Sequence, residues 1–572
     1  MLRRFGGFVG LLAIVLVLIR PGAAEGQGRR WLADPPLLRL SGAQQQIEDR
    51  IYDIEMLDGA SGWAATGSGL LRYDGRAWRR EPVFEGYSYS WLALDFSGPN
   101  NGWAVGVETT GSRIMMAAAR YDGREWTLAR DIAENGGILR DITVFGDGTA
   151  LAVGEAYALR SSTPMHRVFR FDGAGWSQVA LPVESFGTNG MLTSLSMVGP
   201  GEGWAGGIFG YAGESGAAAL RPVILRLKDG RWTEEALPEL GRATVRKIVM
   251  KDAGEGWAIA SEDISIHQDS QLLRYKDGAW SLDTAVPTAG CVVRSIGLIP
   301  GTGRGWVSLV RCPDGRERRL RMENGAFSED TGGAQFAPEA YALAGDAVQW
   351  GAHGGMLMRF SAEALPTARV AEGGERYFPQ TGHTLGGAFK AYYEGHGLDL
   401  GHPGVSADES LALFGYPLSE PFEEINPDTG ELLRVQYFER ARFEWHPENP
   451  DPYKVLLGRF GFTTLLRRGT TAVIPNPNQA PSGPGCRVYT ETGYSLCAPF
   501  LGYWQRNGGL PVFGFPITAT DAEVSQTDGA SYTTVWTERE RLEHHPENAG
   551  TPYEILLGLL GAEDLRARGY LE

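Results

Sequence analysis

The sequence is poor in positive charge and has no long apolar run beyond its first twenty residues. Lys and Arg number 53 against 69 Asp and Glu, so the formal net charge is -16. This excess of negative charge argues against nucleic acid and against docking on anionic lipid, because both are bound through cationic contacts to phosphate. Since no second apolar stretch follows, we expect no stable membrane insertion once the N-terminus has been removed.

The motifs of common catalytic and cofactor sites are also missing. No G-x-S-x-G, H-E-x-x-H, G-x-G-x-x-G or phosphate-binding loop occurs where strand and helix context would support it. The nine histidines are scattered, and no D-x-D-x-D-G calcium loop is present. We therefore expect no catalytic residue, no metal and no cofactor, while an active site assembled from distant loops stays an open alternative.

The N-terminus has the pattern of an export signal. MLRR is basic, Phe5 to Ile19 is apolar, and PGAA then supplies small residues for cleavage. The alternative is an uncleaved anchor, but fifteen apolar residues fall short of the roughly 20 that a helix needs to span a bilayer. We expect residues 1–24 to be a signal peptide and the protein to be extracellular or on the cell surface.

Only four cysteines are present, and they form two local pairs. Cys291 and Cys312 flank a Pro-Gly turn, and Cys486 and Cys497 flank a second short turn. Opposed residues of an antiparallel hairpin are close enough for a disulfide. Two disulfides in an oxidising compartment are predicted, because the rival zinc site lacks a C-x-x-C spacing.

What the chain has in abundance is glycine and tryptophan, arranged in a repeat that pairs GWAVG with RYDGREW. Seven units follow one another from Ile51, with 40 to 53 residues between their central anchors. The anchors are Trp63, Trp103, Leu151, Trp204, Trp257, Trp306 and Trp350. This is the period of a four-stranded propeller blade. The pattern predicts a mainly β protein with a seven-bladed β-propeller over residues 25–371.

Each unit predicts four strands, A to D, with strand D opening on a Trp after an Asp-Gly turn. One large ring per blade at a fixed position indicates packing between blades. The seventh unit lacks its strand D. The segment GRRWLADPPLL resembles the strand D of the fourth unit, so we expect Trp31 to Leu38 to close the ring; the alternative is a disordered tail.

The connection between strands B and C is short in the first unit and long in the next four. Such loops on a rigid scaffold commonly carry function. Five polar or aromatic residues on these loops are the predicted binding residues: Tyr157, Arg160, His166, Tyr211 and His267.

A second repeat fills the C-terminal part, as two small α+β modules over residues 376–473 and 486–572 joined by a Pro-rich linker, 474–485. Each copy predicts a short amphipathic helix, a hairpin and a further helical turn from PYKVLLG or PYEILLG. Both copies also carry E-x-H-P-E-N, with Glu444 and His446 matching Glu543 and His545. We favour a turn-capping role for these pairs over a metal or proton-relay site.

The GWAVG and DG-x-x-W elements resemble the propellers of the photosystem II assembly-factor-like type. The FGYP and FGFP elements resemble the LGFP-type repeats of bacterial envelope proteins, with a departure at the first position. The second resemblance implies attachment to the cell wall. Together they favour an exported, non-enzymatic binding or scaffold protein whose partner is a cell-wall polymer or an envelope protein. The alternatives are an exported glycan hydrolase and an assembly factor for an envelope complex.

Overall fold

The computed structural model describes residues 29–40, 46–82, 88–132, 136–157, 164–181, 189–212, 218–261, 270–288, 290–362, 365, 373–468, 483–525 and 529–571. The predicted signal peptide and most of the predicted linker lie outside these residues. No helix within the described ranges is long and apolar enough to cross a membrane.

The described chain begins with strand β1 (Arg30–Ala33) and a separate hairpin of β2 (Leu38–Leu40) and β3 (Gln46–Glu48). Seven antiparallel sheets of four strands each then form the ring of a β-propeller. Blades 1 to 3 contain β4 (Ile51–Met56), β5 (Gly62–Thr66), β6 (Gly69–Tyr73), β7 (Trp78–Glu81); β8 (Ser88–Gly98), β9 (Asn101–Thr110), β10 (Arg113–Tyr121), β11 (Trp126–Leu128); and β12 (Gly137–Val144), β13 (Ala150–Tyr157), β14 (Pro164–Phe171), β15 (Trp176–Gln178). Blades 4 to 6 contain β16 (Asn189–Gly199), β17 (Glu202–Ala212), β18 (Ala218–Lys228), β19 (Arg231–Glu234); β20 (Thr244–Asp252), β21 (Glu255–Ser261), β22 (Ser270–Lys276), β23 (Ala279–Leu282); and β24 (Val292–Leu298), β25 (Arg304–Val310), β26 (Arg318–Glu323), β27 (Ala326–Asp330). Blade 7 combines β28 (Ala340–Leu343), β29 (Gln349–His353) and β30 (Met356–Ser361) with β1.

The first strand of each blade is innermost, because successive first strands pack on one another around the ring and β28 packs on β4. Aromatic rings hold the blades together in the predicted way. Trp63 of blade 1 lies edge-on to Trp126 of blade 2 at 5.2 Å, and Trp350 of blade 7 meets Trp78 of blade 1 at 5.5 Å. These anchors are buried, and in every blade but the third, where Leu151 takes the position, strand B places a Trp ring there.

The Asp-Gly turns between strands C and D also behave as expected. The Asp122 carboxylate accepts the amide N–H groups of Arg124 and Glu125 at 2.8 and 3.0 Å. These donors lower the pKa of Asp122. In blades 4 and 5, strand D starts one residue before the expected Trp, at Arg231 and Ala279.

The ring is closed by the N-terminal segment. Strand β1 pairs antiparallel with β30, joining Arg30 to Ser361 and Ala33 to Met358. Trp31 is fully buried and lies 5.4 Å from the ring of Trp306 in blade 6. The closing-strand prediction is therefore confirmed for residues 30–33, while the chain leaves the blade before Leu38 and enters the β2–β3 hairpin.

The C-terminal part contains two copies of one α+β arrangement. The first contains β31 (Arg376–Phe378), β32 (His383–Leu385), α1 (Gly387–Gly395), α2 (Ala407–Phe414), β33 (Phe422–Ile425), β34 (Leu432–Tyr437), β35 (Arg442–Trp445), β36 (Val455–Leu457) and α3 (Phe460–Arg467). The second contains β37 (Cys486–Tyr489), β38 (Tyr494–Cys497), α4 (Phe500–Arg506), α5 (Gly509–Phe513), β39 (Asp521–Val524), β40 (Ser531–Trp536), β41 (Arg541–His544), a 3-10 turn (Pro546–Asn548), β42 (Ile555–Leu557) and α6 (Leu560–Ala567). The helices predicted around Phe389 and Phe500 are present. The helical turn predicted from PYKVLLG and PYEILLG is wrong: those residues enter edge strands β36 and β42, and helices begin only at Phe460 and Leu560.

The two copies exchange their last helices. The N–H of Phe462 in α3 donates to the Glu538 carbonyl of the second copy, and the N–H of Ala562 in α6 donates to the Glu439 carbonyl of the first, each at 3.0 Å. Residues of both copies also share one hydrophobic core. The pair is thus one unit with approximate two-fold symmetry.

This unit is fixed to the closing blade of the propeller. The N–H of Ala33 in β1 donates to the Arg568 carbonyl at 3.0 Å, and Nε of Arg568 donates to the Ala33 carbonyl at 2.7 Å. Gly569 has a φ of +85°, and a Cβ there would lie 2.2 Å from the amide nitrogen of Ala334. Only glycine lets the chain pass this close to the blade.

Both predicted disulfides are confirmed. Cys291 is bonded to Cys312 at the open end of the β24–β25 hairpin, and Cys486 to Cys497 directly across the β37–β38 pair. The described residues contain no free cysteine.

Candidate functional site

Six of the seven innermost strands carry a β-bulge at the same place, near their first residues. A bulge adds one residue and re-aims its side chain. The added residues are Tyr52, Leu92, Arg140, Thr193, Arg246 and Arg294. They lie where the central channel opens on the face that carries the B–C loops, which we call the channel mouth.

A cavity of about 130 Å³ occupies this mouth. Its lining comes from blades 5, 6, 7 and 1, which are consecutive around the ring. The lining residues are Arg50, Ile51, Tyr52, Arg246, Ser261, Val292, Val293, Arg294 and Glu339. Three arginines therefore line one small cavity, together with aliphatic residues and the exposed Tyr52.

Glu339 of blade 7 is the one carboxylate residue among the lining residues, and arginines from the two neighbouring blades donate hydrogen bonds to it. Arg50 of blade 1 donates Nη2 to one carboxylate oxygen, and Arg294 of blade 6 donates Nη2 to the other. Burial would raise the pKa of Glu339, but the two arginines outweigh it, and the pKa lies below its ordinary value. Arg294 also lies 3.4 Å from Glu317. The mouth keeps its carboxylate ionised.

Deeper in the channel, four carboxyl groups surround one lysine. They are Asp53, Glu55, Asp95 and Asp141, and the lysine is Lys247, 3.9 Å from Asp141. Burial raises the pKa of Asp53 to about 6 and of Asp95 to about 7, and raises that of Glu55 well above its ordinary value. Asp141 above all raises the pKa of Lys247. The lysine side chain is 44% exposed, so the channel interior is reached by solvent.

These carboxyl groups join the blades. Asp53 accepts the Leu94 N–H of the next blade at 3.1 Å, and Asp141 accepts the Leu195 N–H of its next blade at 2.8 Å. The hydroxyl of Ser194 occupies the corresponding place in blade 4 and accepts the N–H of Ile248 at 3.0 Å. Because a hydroxyl serves equally well, the position requires a hydrogen-bond acceptor rather than an acid.

Two of the predicted binding residues are described in full, and both lie in strands and not in the loop as expected: Tyr157 ends β13 and His166 belongs to β14. His166 stacks on Phe209 of blade 4 at 4.4 Å, and burial lowers its pKa to about 4. The Tyr157 hydroxyl donates to Glu155 at 3.2 Å. Glu155 also accepts two hydrogen bonds, at 2.6 and 2.7 Å, from Arg140 at the bulge of its blade. Tyr157 is thus tied to the ring of bulge residues, while His166 packs between blades.

The side chains of the other three predicted binding residues lie outside the described part of the structure. Arg160 and His267 lie outside the described residues, and Tyr211 belongs to β17 with its side chain outside the description. A binding role for the five residues stays a prediction.

The repeated E-x-H-P-E-N elements form small closed networks. The imidazole of His446 lies 3.0 Å from Glu448 and 3.4 Å from Glu444, and His545 lies 2.9 Å from Glu547. The N–H of Asn449 donates to the His446 carbonyl at 3.1 Å, which closes the turn. Throughout the described ranges, no group of three or more His, Cys, Asp or Glu side chains is placed to hold a metal ion.

The bulge residues at the mouth were not predicted from the sequence, because they lie in the repeated first strands and not in the variable B–C loops. Alignment of the first strands places Tyr52, Arg140, Arg246 and Arg294 in one column. This column holds large polar side chains of differing type between regular apolar positions, and that pattern could have identified the mouth residues from the sequence.

No family model matches the sequence, and no curated protein matches it. Among solved structures, it is similar to YCF48 from Cyanidioschyzon merolae, with 16% identity over 58% of this chain and 98% of that chain, and a TM-score of 0.39. A structure titled YCF48 bound to D1 peptide gives 15% identity, 59% and 97% coverage and a TM-score of 0.39. A GH74 xyloglucanase from Xanthomonas campestris gives 11% identity, 93% and 87% coverage and a TM-score of 0.45.

Proposed function

We propose that the protein is an exported, non-enzymatic recognition protein. The propeller is its recognition head, the channel mouth is its binding site, and the paired C-terminal modules tether it to the cell envelope. The observation that carries the proposal is the mouth cavity, in which Arg50, Arg246 and Arg294 from three blades meet on the elaborated face of the ring. Arg246 and Arg294 stand on strands and Arg50 directly precedes one, so a ligand meets a pre-formed site.

Export is supported by the two disulfides, which are typical of oxidising compartments. The tether rests on the FGYP and FGFP elements and the envelope repeats they resemble. The partner class is a cell-wall polymer or an envelope protein. Because Arg568 joins the modules to the closing blade, the head would keep a fixed orientation on its anchor.

The test uses the full chain, since the closing blade and the modules share hydrogen bonds. A photo-crosslinking residue replaces Tyr52 at the mouth, and in a matched variant it replaces Tyr453, an exposed residue of the first module. We expect position 52 to give one discrete adduct with an envelope component and position 453 to join the protein to purified sacculi.

The two parts of the proposal fail separately. A full chain that does not sediment with sacculi contradicts the tether. Equal, diffuse adducts from both positions contradict the mouth as recognition site. As a further control, Arg76→Gln changes an exposed arginine of a C–D turn on the opposite face and should alter neither result.

A glycan hydrolase is the second candidate, because Asp53 and Asp95 have pKa values near neutrality. A glycosidase needs one protonated and one ionised carboxyl group beside the scissile bond. Here the raised pKa values belong to groups that accept backbone N–H groups of the next blade. We expect no reducing ends to be released from xyloglucan, arabinan or peptidoglycan; release that Asp95→Asn abolishes would favour the hydrolase.

A further inference from the structure

We infer that the channel mouth binds a neutral sugar ring, which stacks on Tyr52. The inference rests on the proposed function, in that it takes the mouth to be the recognition site, and it adds the class of ligand. It favours a wall polymer over an envelope protein as the partner of the mouth, and a protein partner becomes an outcome of the test.

Tyr52 differs from the other aromatic residues of the propeller in its exposure. Among the aromatic side chains that the structure describes between residues 29 and 362, it alone is exposed, at 39%. The rings of the repeat, such as Trp63 and Trp350, are buried and contact rings of the neighbouring blade. Packing between blades therefore does not account for the exposed part of the Tyr52 ring.

The backbone directs this ring into the mouth. Tyr52 is the extra residue of the bulge between Ile51 and Asp53, and a bulge re-aims its side chain. Tyr52 lines the mouth cavity, and the guanidinium of Arg50 lies 5.7 Å from the centre of its ring. The π face of an aromatic ring carries partial negative charge. It therefore attracts the partly positive C–H hydrogens on one face of a sugar ring.

The charged groups beside Tyr52 balance one another. Arg50 and Arg294 donate to different oxygens of Glu339, and Arg294 also lies 3.4 Å from Glu317. Two guanidinium groups thus face two carboxylates within this network. A neutral ligand leaves these ion pairs intact, whereas a charged one repels one member of each pair.

The same network offers hydrogen bonds to hydroxyl groups. The side chain of Arg50 is 42% exposed, and Glu339 uses its Nη2 atom, which leaves Nε and Nη1 for a ligand. Each carboxylate oxygen of Glu339 has a further lone pair. A hydroxyl can accept from Arg50 and donate to Glu339 at once. A sugar ring combines such hydroxyl groups with an apolar face, and so it matches both halves of the mouth.

The size of the cavity limits how much of the ligand enters. About 130 Å³ is the space of roughly four water molecules at about 30 Å³ each. One edge of a single ring fits this space, with Val292 and Val293 as apolar neighbours. The remainder of the ligand stays outside, which suits the terminal or branch sugar of a polymer.

The experiment measures sugar binding by the full chain, with saturation-transfer NMR and calorimetry. The probes are the neutral methyl glycosides of N-acetylglucosamine, galactose and arabinose, with tri-alanine amide as the peptide probe. The amino sugar represents peptidoglycan and the other sugars represent neutral polysaccharides, so the glycoside that binds identifies the source. We expect at least one glycoside to bind, with transfer from aromatic protons strongest at the C–H groups of one ring face.

Tyr52→Leu should weaken this binding about tenfold, the upper end of what one aromatic contact contributes. Tyr52→Phe keeps the ring and should keep most of the affinity, and Arg76→Gln on the opposite face should bind like the unaltered protein. Equal melting temperatures for these variants show that folding is unchanged.

The inference is overturned if no glycoside binds, if Tyr52→Leu binds as well as the unaltered protein, or if only tri-alanine amide binds. A position-52 adduct with an envelope protein in any of these cases would leave the recognition site standing, with its ligand class wrong. Diffuse adducts together with no sugar binding would remove both the site and the ligand class.

Discussion

Replacing Arg568 by methionine should loosen the closing blade and the module pair together. This arginine is 1% exposed. Its guanidinium donates to the Ala33 carbonyl at 2.7 Å, to the Tyr437 hydroxyl at 2.6 Å, to Asp564 at 3.0 Å and to Glu424 at 2.6 Å. One side chain therefore joins strand β1 of the propeller to both C-terminal modules.

The magnitude follows from the carboxylates left behind. Removing one partner of a buried ion pair costs about 3–5 kcal/mol, because the remaining charge is buried without compensation. Glu424 keeps a contact of 3.2 Å with Arg442, and Asp564 keeps its contact with Arg467. These partners place the expected loss at the lower end, about 3 kcal/mol.

The chain supplies its own matched control. Arg468 is the corresponding residue of the first module, lies 3.2 Å from Glu523 and is 35% exposed. Because exposed pairs contribute about 1 kcal/mol or less, Arg468→Met should cost correspondingly little.

Denaturant unfolding of the full chain measures both losses, and hydrogen exchange reports the Ala33 amide. In Arg568→Met we expect faster exchange at Ala33 as well as the larger loss of stability. Equal losses in the two variants, or unchanged exchange at Ala33, would refute the account of this arginine as the link between ring closure and the modules.

Three further results are expected. Burial raises the pKa of Asp95 from 3.8 to about 7, so the folded state keeps a proton that the unfolded state has lost between these values. The melting temperature should therefore fall as the pH rises from about 4 to about 7, and Asp95→Asn should flatten that fall. Burial also raises the pKa of Glu540 well above its ordinary value, so Glu540→Gln should raise the melting temperature at pH 8 and change it little at pH 4; no gain at pH 8 would contradict this reasoning. Replacing Cys291 and Cys312 by serine opens a loop with a sequence separation of 21 and should lower the free energy of unfolding by about 3 kcal/mol, measured by denaturation; a loss below 1 kcal/mol would count against it.

The fold was predictable because its elements repeat. Most blades use the same local signals, an alternating strand, a central Trp and an Asp-Gly turn, so seven weak patterns reinforce one another although Leu151 replaces the Trp in blade 3 and blade 7 lacks the turn. The closing strand could be found in the same way, since Trp31 stands in the sequence context of other strand-D tryptophans. The disulfides followed from the symmetry of their hairpins. The edge strands β36 and β42 were misassigned, because a three-residue strand such as Val455–Leu457 shows too little periodicity to be told from a helical turn. The second helices of the modules, α2 and α5, were not predicted.

The site was not predictable to the same degree, because it is assembled across the ring. The sequence by itself determined the repeat, its period and the residues that build each blade, since those depend on neighbours a few positions away. Only the tertiary structure decided that bulges in strands far apart in the chain bring Tyr52, Arg246 and Arg294 to one cavity. It alone showed that Arg568 reaches back to Ala33, across 535 positions of the chain. Contacts of this kind arise from closing the ring and docking the modules, and no local pattern of residues records them.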